Sequence, residues 1–164
     1  MRRTHTAALL APMLMVVALG VAACGSDDDS TDTEVGALSK SAFAEQANDL
    51  CSKAATDRQS VALDPNASGP EQAEQLADII DIDEKQLTDV DQLVPPESEQ
   101  DTVTQLLDQW RKRIDLEKQL RTATADDDTT QVSALDTQIQ QVDTDGNQIA
   151  DGLGLDDCTR GEGV

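Results

Sequence analysis

Histidine is almost missing from this sequence. The single copy, His5, precedes an apolar run near the start of the chain, which leaves none for the remainder. Catalysis near neutral pH usually draws on histidine, a reactive cysteine or an activated serine, and zinc calls for histidine or free thiolate. Neither a Gly-x-Ser-x-Gly turn nor a phosphate-cradling glycine loop makes up for the lack. Aromatic residues are equally scarce. Phe43 and Trp110 stand alone, with no tyrosine, so the stacking surfaces that usually line a sugar-binding cleft are missing. Positive charge is short as well: 12 Lys and Arg face 33 Asp and Glu. That balance excludes a protein that works by neutralising a nucleic-acid backbone, and it disfavours electrostatic adhesion to anionic lipid. An enzyme, a cofactor and a metal centre are therefore not expected, and a partner is either cationic or held by apolar contacts.

The only long apolar run covers residues 7–23, broken by Pro12 and Gly20. Behind Arg2 and Arg3 it has the shape of a secretory signal, and it falls short of the roughly 20 residues that cross a bilayer core. Arg2-Arg3 is not a twin-arginine motif, because Thr4, His5 and Thr6 follow where apolar residues should begin. Val21-Ala22-Ala23-Cys24 resembles the lipobox of bacterial lipoproteins: an aliphatic residue, two small ones, then the cysteine whose sulfur receives diacylglycerol. The resemblance implies removal of residues 1–23, lipidation of Cys24, and retention on the extracytoplasmic face of the bacterial cell membrane. A single acyl chain holds weakly; the two or three that lipoproteins carry hold firmly. An ordinary cleaved signal and an uncleaved anchor are the alternatives.

With Cys24 lipidated, two of the three cysteines remain, Cys51 and Cys158. Outside the membrane the compartment is oxidising and such a pair is expected to be bridged, two buried free thiols being the alternative. The bridge would close a loop of about 100 residues and contribute up to about 4 to 5 kcal/mol on the loop-entropy view. The leader holds two of the 12 basic residues and no acids, so the mature chain sets 10 against 33 and carries a net charge of −23.

Residues 24–37 follow the leader. After Cys24, GSDDDSTDTEVG offers five acids and Val35 as its one apolar side chain. Such a segment cannot bury enough surface to fold and reads as a flexible tether. From Leu38 onward apolar residues fall at helical spacing. The first helix places Phe43, Ala47, Leu50, Cys51 and Ala54 on one face, with Ser39 as N-cap and Leu38 and Phe43 as a hydrophobic staple. The turn around Pro65, Gly69 and Pro70 separates it from a second helix carrying Ala73, Leu76, Ile79, Ile80, Leu87 and Val90. Pro95-Pro96 leads to a third, with Val103, Leu106, Leu107, Trp110, Ile114 and Leu120. Asp126, Asp127 and Asp128 form a loop, and Asp128 with Gln131 suits the start of a fourth helix. That helix carries Val132, Leu135, Ile139, Val142, Gly146, Ile149 and Leu153. The expected fold is all-α: an antiparallel up-down-up-down bundle of about four helices over residues 38–158, followed by a disordered tail at 159–164. For the bridge to close in such a bundle, the chain after Gly154 must turn back along the first helix, and a glycine at C′ permits the turn.

Two local features invite a functional reading. DTDGNQIADGLG, residues 143–154, opens like a calcium loop with Asp143, Asp145 and Asn147 at positions 1, 3 and 5. Position 6 is Gln148 and position 12 is Gly154, so the turn glycine and the bidentate glutamate are both missing, and the apolar spacing runs straight through. Residues on the outer face of a helix are the better reading, with weak calcium binding as the alternative. Gly146 costs about 1 kcal/mol in a helix interior and suggests close approach of a neighbour. On the third helix Arg111, Lys112, Arg113, Lys118 and Arg121 supply five of the ten mature cations. They either pair locally, as Asp108 with Lys112 and Glu117 with Arg121 could, or, with Trp110, Arg111, Lys112 and Arg113, form a docking face for an anionic wall polymer or an acidic protein.

The helix SKSAFAEQANDLCSKA, the turn Leu93-Val94-Pro95-Pro96 and the closing IADGLGLDDC together resemble a group of small, uncharacterised lipoproteins and secreted proteins of actinobacteria. The similarity spans most of residues 38–158. It implies an all-helical, lipid-anchored or secreted domain with its two cysteines bridged, and it brings no activity or catalytic residues with it. The expected function is a binding or structural module at the cell envelope, the alternative being a carrier of a small apolar ligand in the bundle interior.

Overall fold

In a computed structural model of the protein, residues 36–160 are described. The leader, Cys24 and most of the tether lie outside them, as do residues 161–164. Four helices packed antiparallel make an all-α fold. We label them α1 (Lys40–Ser60), α2 (Gly69–Asp91), α3 (Gln100–Ala125) and α4 (Thr129–Leu153); short 3-10 turns at Glu97–Glu99 and Asp156–Cys158 precede α3 and follow α4.

Local chemistry sets the helix ends. Ser39 accepts from the Ala42 amide through its hydroxyl at 3.2 Å, and Leu38 ahead of it packs on the same core cluster as Phe43, so the cap and the staple act together. At α2 the Glu71 carboxylate accepts from the Ser68 amide at 2.9 Å and from the Ser68 hydroxyl at 2.7 Å. Pro70 occupies the first turn, where its missing N–H costs nothing. Asp128 caps α4 by accepting from the Gln131 amide at 3.0 Å. Gly154 ends α4 at φ +73, a left-handed conformation that a side chain would disfavour.

Helix α3 is central, lying against α2 on one side and α4 on the other, while α1 packs on α2 and on the segment after α4. The larger core cluster joins all four helices and that segment, through Phe43, Ala47, Val90, Leu106, Trp110, Ala150 and Leu155 among others. A smaller one, formed by Leu116, Ala123, Leu135 and Val142, continues along the α3–α4 hairpin. The expected return of the chain occurs: after Gly154 it folds back, and Cys158 is bridged to Cys51 with the Cα atoms 5.0 Å apart. This closes the topology that the bundle and the two cysteines jointly require.

One boundary is corrected. The segment 159–164 was expected to form a disordered tail, but Thr159 and Arg160 are partly buried, and the Arg160 side chain is only 11% exposed. The segment is bridged through Cys158 and bonded through the Arg160 backbone to Asn147, and its guanidinium reaches a buried carboxylate on α2. Residues 161–164 lie outside the described residues.

Candidate functional site

Charge inside an aliphatic bundle needs a reason, and this core holds a good deal of it. Asp83 and Gln86 project inward from α2, Arg113 and Glu117 from α3, and Asp143 and Asn147 from α4. Arg58 joins from α1 and Arg160 from the returning segment. Asp83 is the hub, with 1% of its side chain exposed. Arg58 Nη1 donates to its Oδ1 at 2.5 Å and Arg113 Nη1 to its Oδ2 at 2.7 Å. Arg160 grips both oxygens in a fork, at 3.0 Å each, the geometry in which a guanidinium binds a carboxylate most strongly. Gln86 supports the hub: its Oε1 accepts from Arg58 and Arg160 at 2.9 and 3.2 Å, and its Nε2 donates to the Cys51 sulfur at 3.1 Å.

Arg113 is shared among three acids. Besides Asp83 it meets Glu117 Oε1 at 2.5 Å through Nη1, and its Nε lies 2.8 Å from Asp143 Oδ1. That last pair is close enough for charge attraction but lacks the alignment of a hydrogen bond, so Arg113 Nε has no hydrogen-bond partner, and neither does the buried Glu117 Oε2.

The electrostatics follow from this sharing. Burial pushes the Asp83 carboxyl up, but Arg160, Arg113 and Arg58 outweigh it and hold the group below its ordinary 3.8. Burial also opposes charge on Arg113, yet Glu117, Asp83 and Asp143 together raise it. Glu117 has the weaker position. Burial dominates, Arg113 offsets it only partly, Asp83 repels, and the carboxyl is pushed up to about 7. Asp143 is raised by burial for the same reason, against the pull of Arg113. Three guanidiniums and three carboxyls thus share one interior, and the last carboxylate to ionise is Glu117. The cluster can hold a proton near neutrality and can hold a chain segment in place. Among the described residues no group of His, Cys, Asp and Glu is arranged to hold a metal ion.

The proposed docking face does not survive as drawn. Trp110 is 6% exposed and belongs to the core, and Arg113 points into the ion cluster. Both residues fall on the three-four spacing that turns α3 toward its neighbours, so only Arg111 and Lys112 of the four face outward. Arg111 pairs with Asp108 at 2.8 Å and Asp91 at 3.4 Å. Lys118 pairs with Glu84 at 2.7 Å, and Glu117 pairs with Arg113 rather than with Arg121. The calcium-like stretch is α4 itself. Only the outer-face expectation is corrected: Asp143 and Asn147 turn inward, Asp143 to Arg113 and Asn147 to the Arg160 backbone, while Asp145 accepts from Gln141 at 2.9 Å, so the three side chains serve three different partners. Gly146 lies against α3, where a methyl group added to it would sit 3.7 Å from Gln109 Cβ. Cys24 lies outside the described residues.

Sequence reading missed Arg58, Asp83, Gln86, Glu117 and Arg160. The signal was there for four of them: Arg58 continues the spacing of Ala47, Cys51 and Ala54 along α1, Asp83 and Gln86 that of Ala73, Ile80 and Val90 along α2, and Glu117 that of Trp110 and Ile114 along α3. A polar residue in register with an apolar stripe is a buried polar residue. Arg160 had no such signal, since it follows the last helix. Neither a protein-family model, nor a curated protein, nor a solved structure matches the chain.

Proposed function

We propose that the protein is a lipid-anchored, extracytoplasmic helical module with a binding or structural role at the bacterial cell envelope. The observation that supports this reading is the bridge between Cys51 and Cys158. Such a bridge suits an oxidising compartment, and it accounts for two of the three cysteines, leaving Cys24 as the one that follows Val21-Ala22-Ala23. The bundle would then be carried on a tether outside the membrane by the diacylglyceryl group. Its net charge of −23 after the leader directs it toward cationic partners or apolar contacts, since α3 offers only Arg111 and Lys112 of the four docking candidates. Cell fractionation tests the reading: the wild-type protein should sediment with membranes and a Cys24→Ala variant should appear in the medium. A variant that stays with the membrane would overturn lipid anchoring, and crosslinking on intact cells would then have to find what retains it. An apolar carrier would have to seat its ligand among Ala47, Leu106, Ala150 and Leu155, all without exposed surface; a lipid co-purifying with the protein is the result that would favour it.

A further inference from the structure

The chain after α4 forms a strap across the bundle, and its fastenings are unusual. Asn48 on α1 donates its amide to the Gly154 carbonyl at 3.0 Å and accepts from the Asp157 amide at 3.0 Å. Asn147 on α4 does the same for Arg160, donating to its carbonyl and accepting from its amide, each at 2.7 Å. Between these two clamps lies the Cys51–Cys158 bridge, and past it the Arg160 guanidinium enters the ion cluster. Residues 155–160 thereby connect α1 to α4.

The arginine does not hold the strap by itself. Removing a guanidinium from water costs several kcal/mol, and a buried ion pair seldom returns more than that cost. Here burial and the repulsion of the facing Arg113 lower the Arg160 pKa in spite of Asp83, so the interior does not compensate its charge fully. Besides the two clamps, what keeps it in place is the covalent bond two residues earlier, which confines the segment to the neighbourhood of Asp83 at high effective concentration.

We propose that residues 155–160 are a redox-controlled latch: with Cys51 and Cys158 joined, Arg160 is held on Asp83, and reduction of the bridge releases the strap and opens the interior to water. The step needs a dithiol reductant. Its thiolate attacks one sulfur of the bridge and forms a mixed disulfide, which the second thiol resolves. Two electrons pass to the protein, the Cys51–Cys158 bond is broken, each sulfur ends as a thiol with one proton, and the reductant leaves as its own disulfide. Both sulfurs are buried, so the latch stays closed until a reductant gains access. The smaller core cluster, along the α3–α4 hairpin, holds neither sulfur nor any strap residue, so the release is confined to the larger cluster, which Cys51, Leu155 and Cys158 join. This inference does not rest on lipid anchoring.

Amide hydrogen exchange on the mature chain, read by mass spectrometry before and after treatment with dithiothreitol, tests the latch. The amides of Asp157, Cys158 and Arg160 should exchange at least about 100-fold faster after reduction, given the strong contribution of such a bridge, while the α3 segment around Leu116 and Ala123, in the cluster without the bridge, keeps its protection. Unchanged strap amides would show that the clamps alone hold the segment, and α3 losing protection in step would show a general staple. Either result overturns the latch. If the buried bridge resists the dithiol, the Cys158→Ser variant supplies the unbridged state for the same measurement, with the same two contrary outcomes.

Discussion

Glu117 is the residue on which the interior is most finely balanced. Its folded pKa of about 7 lies above the ordinary 4.5, so the folded state keeps a proton that the unfolded chain has already released. Stability therefore falls as the pH rises from about 4.5 through 7, by about 3 kcal/mol in full. Asp143, also raised by burial, adds to that loss. Asp83 acts in the opposite sense. Held below 3.8 by its arginines, it contributes stability above that pH which disappears as the pH falls through its folded value. The stability maximum is thus expected between about pH 4 and 5. Urea titrations followed by Trp110 fluorescence should show it, and Glu117→Gln should flatten the profile between pH 5 and 8 and be about 1 to 3 kcal/mol more stable than wild type at pH 8. A variant with the wild-type slope would place the titrating group elsewhere. Removing the hub has the reverse effect. Asp83→Ala leaves the guanidiniums of Arg58, Arg113 and Arg160 without their shared partner and should cost about 3 to 5 kcal/mol at neutral pH, measurable in the same titrations.

At the scale of elements, glycine gives a paired prediction because two helical glycines occupy opposite surroundings. At Gly146 an added methyl would meet Gln109 Cβ in ordinary contact at 3.7 Å, so Gly146→Ala should stabilise α4 by about 0.5 to 1 kcal/mol. At Gly69 the same methyl would collide with the Thr124 carbonyl oxygen and with Asp127 Oδ1, where the start of α2 abuts the α3–α4 turn. Gly69→Ala should cost about 1 to 3 kcal/mol. Thermal melting of both variants checks the pair. These elements also show what a sequence reveals. Ser39, Pro70, Asp128 and Gly154 announced their helix ends because capping is chemistry between residues a few positions apart. The stripes of α3 and α4 were visible because helical period is local too. The ion cluster was not assembled in advance, since Arg58, Asp83, Arg113, Asp143 and Arg160 come from five segments and meet only after the helices pack. The docking-face alternative grouped Trp110 and Arg113 with the charged Arg111 and Lys112, although the apolar stripe of α3 already counted Trp110 and the register of Arg113 also points inward.

For the whole molecule, the two cysteines and the four helical stripes jointly demand a bundle whose chain returns past its last helix, and that is the fold observed. The bridge spans 107 residues of sequence, fastens the strap to α1 and brings Arg160 to the interior. The same bridge links the fold to the proposed address, because it leaves Cys24 as the one cysteine to carry the proposed lipid. The most direct test is the intact mass of the protein purified from membranes, with and without thiol alkylation. A chain beginning at Cys24, heavier by a diacylglyceryl group and taking up no alkylating reagent, is the predicted result. A chain that retains residues 1–23, or that alkylates without prior reduction, would contradict the account.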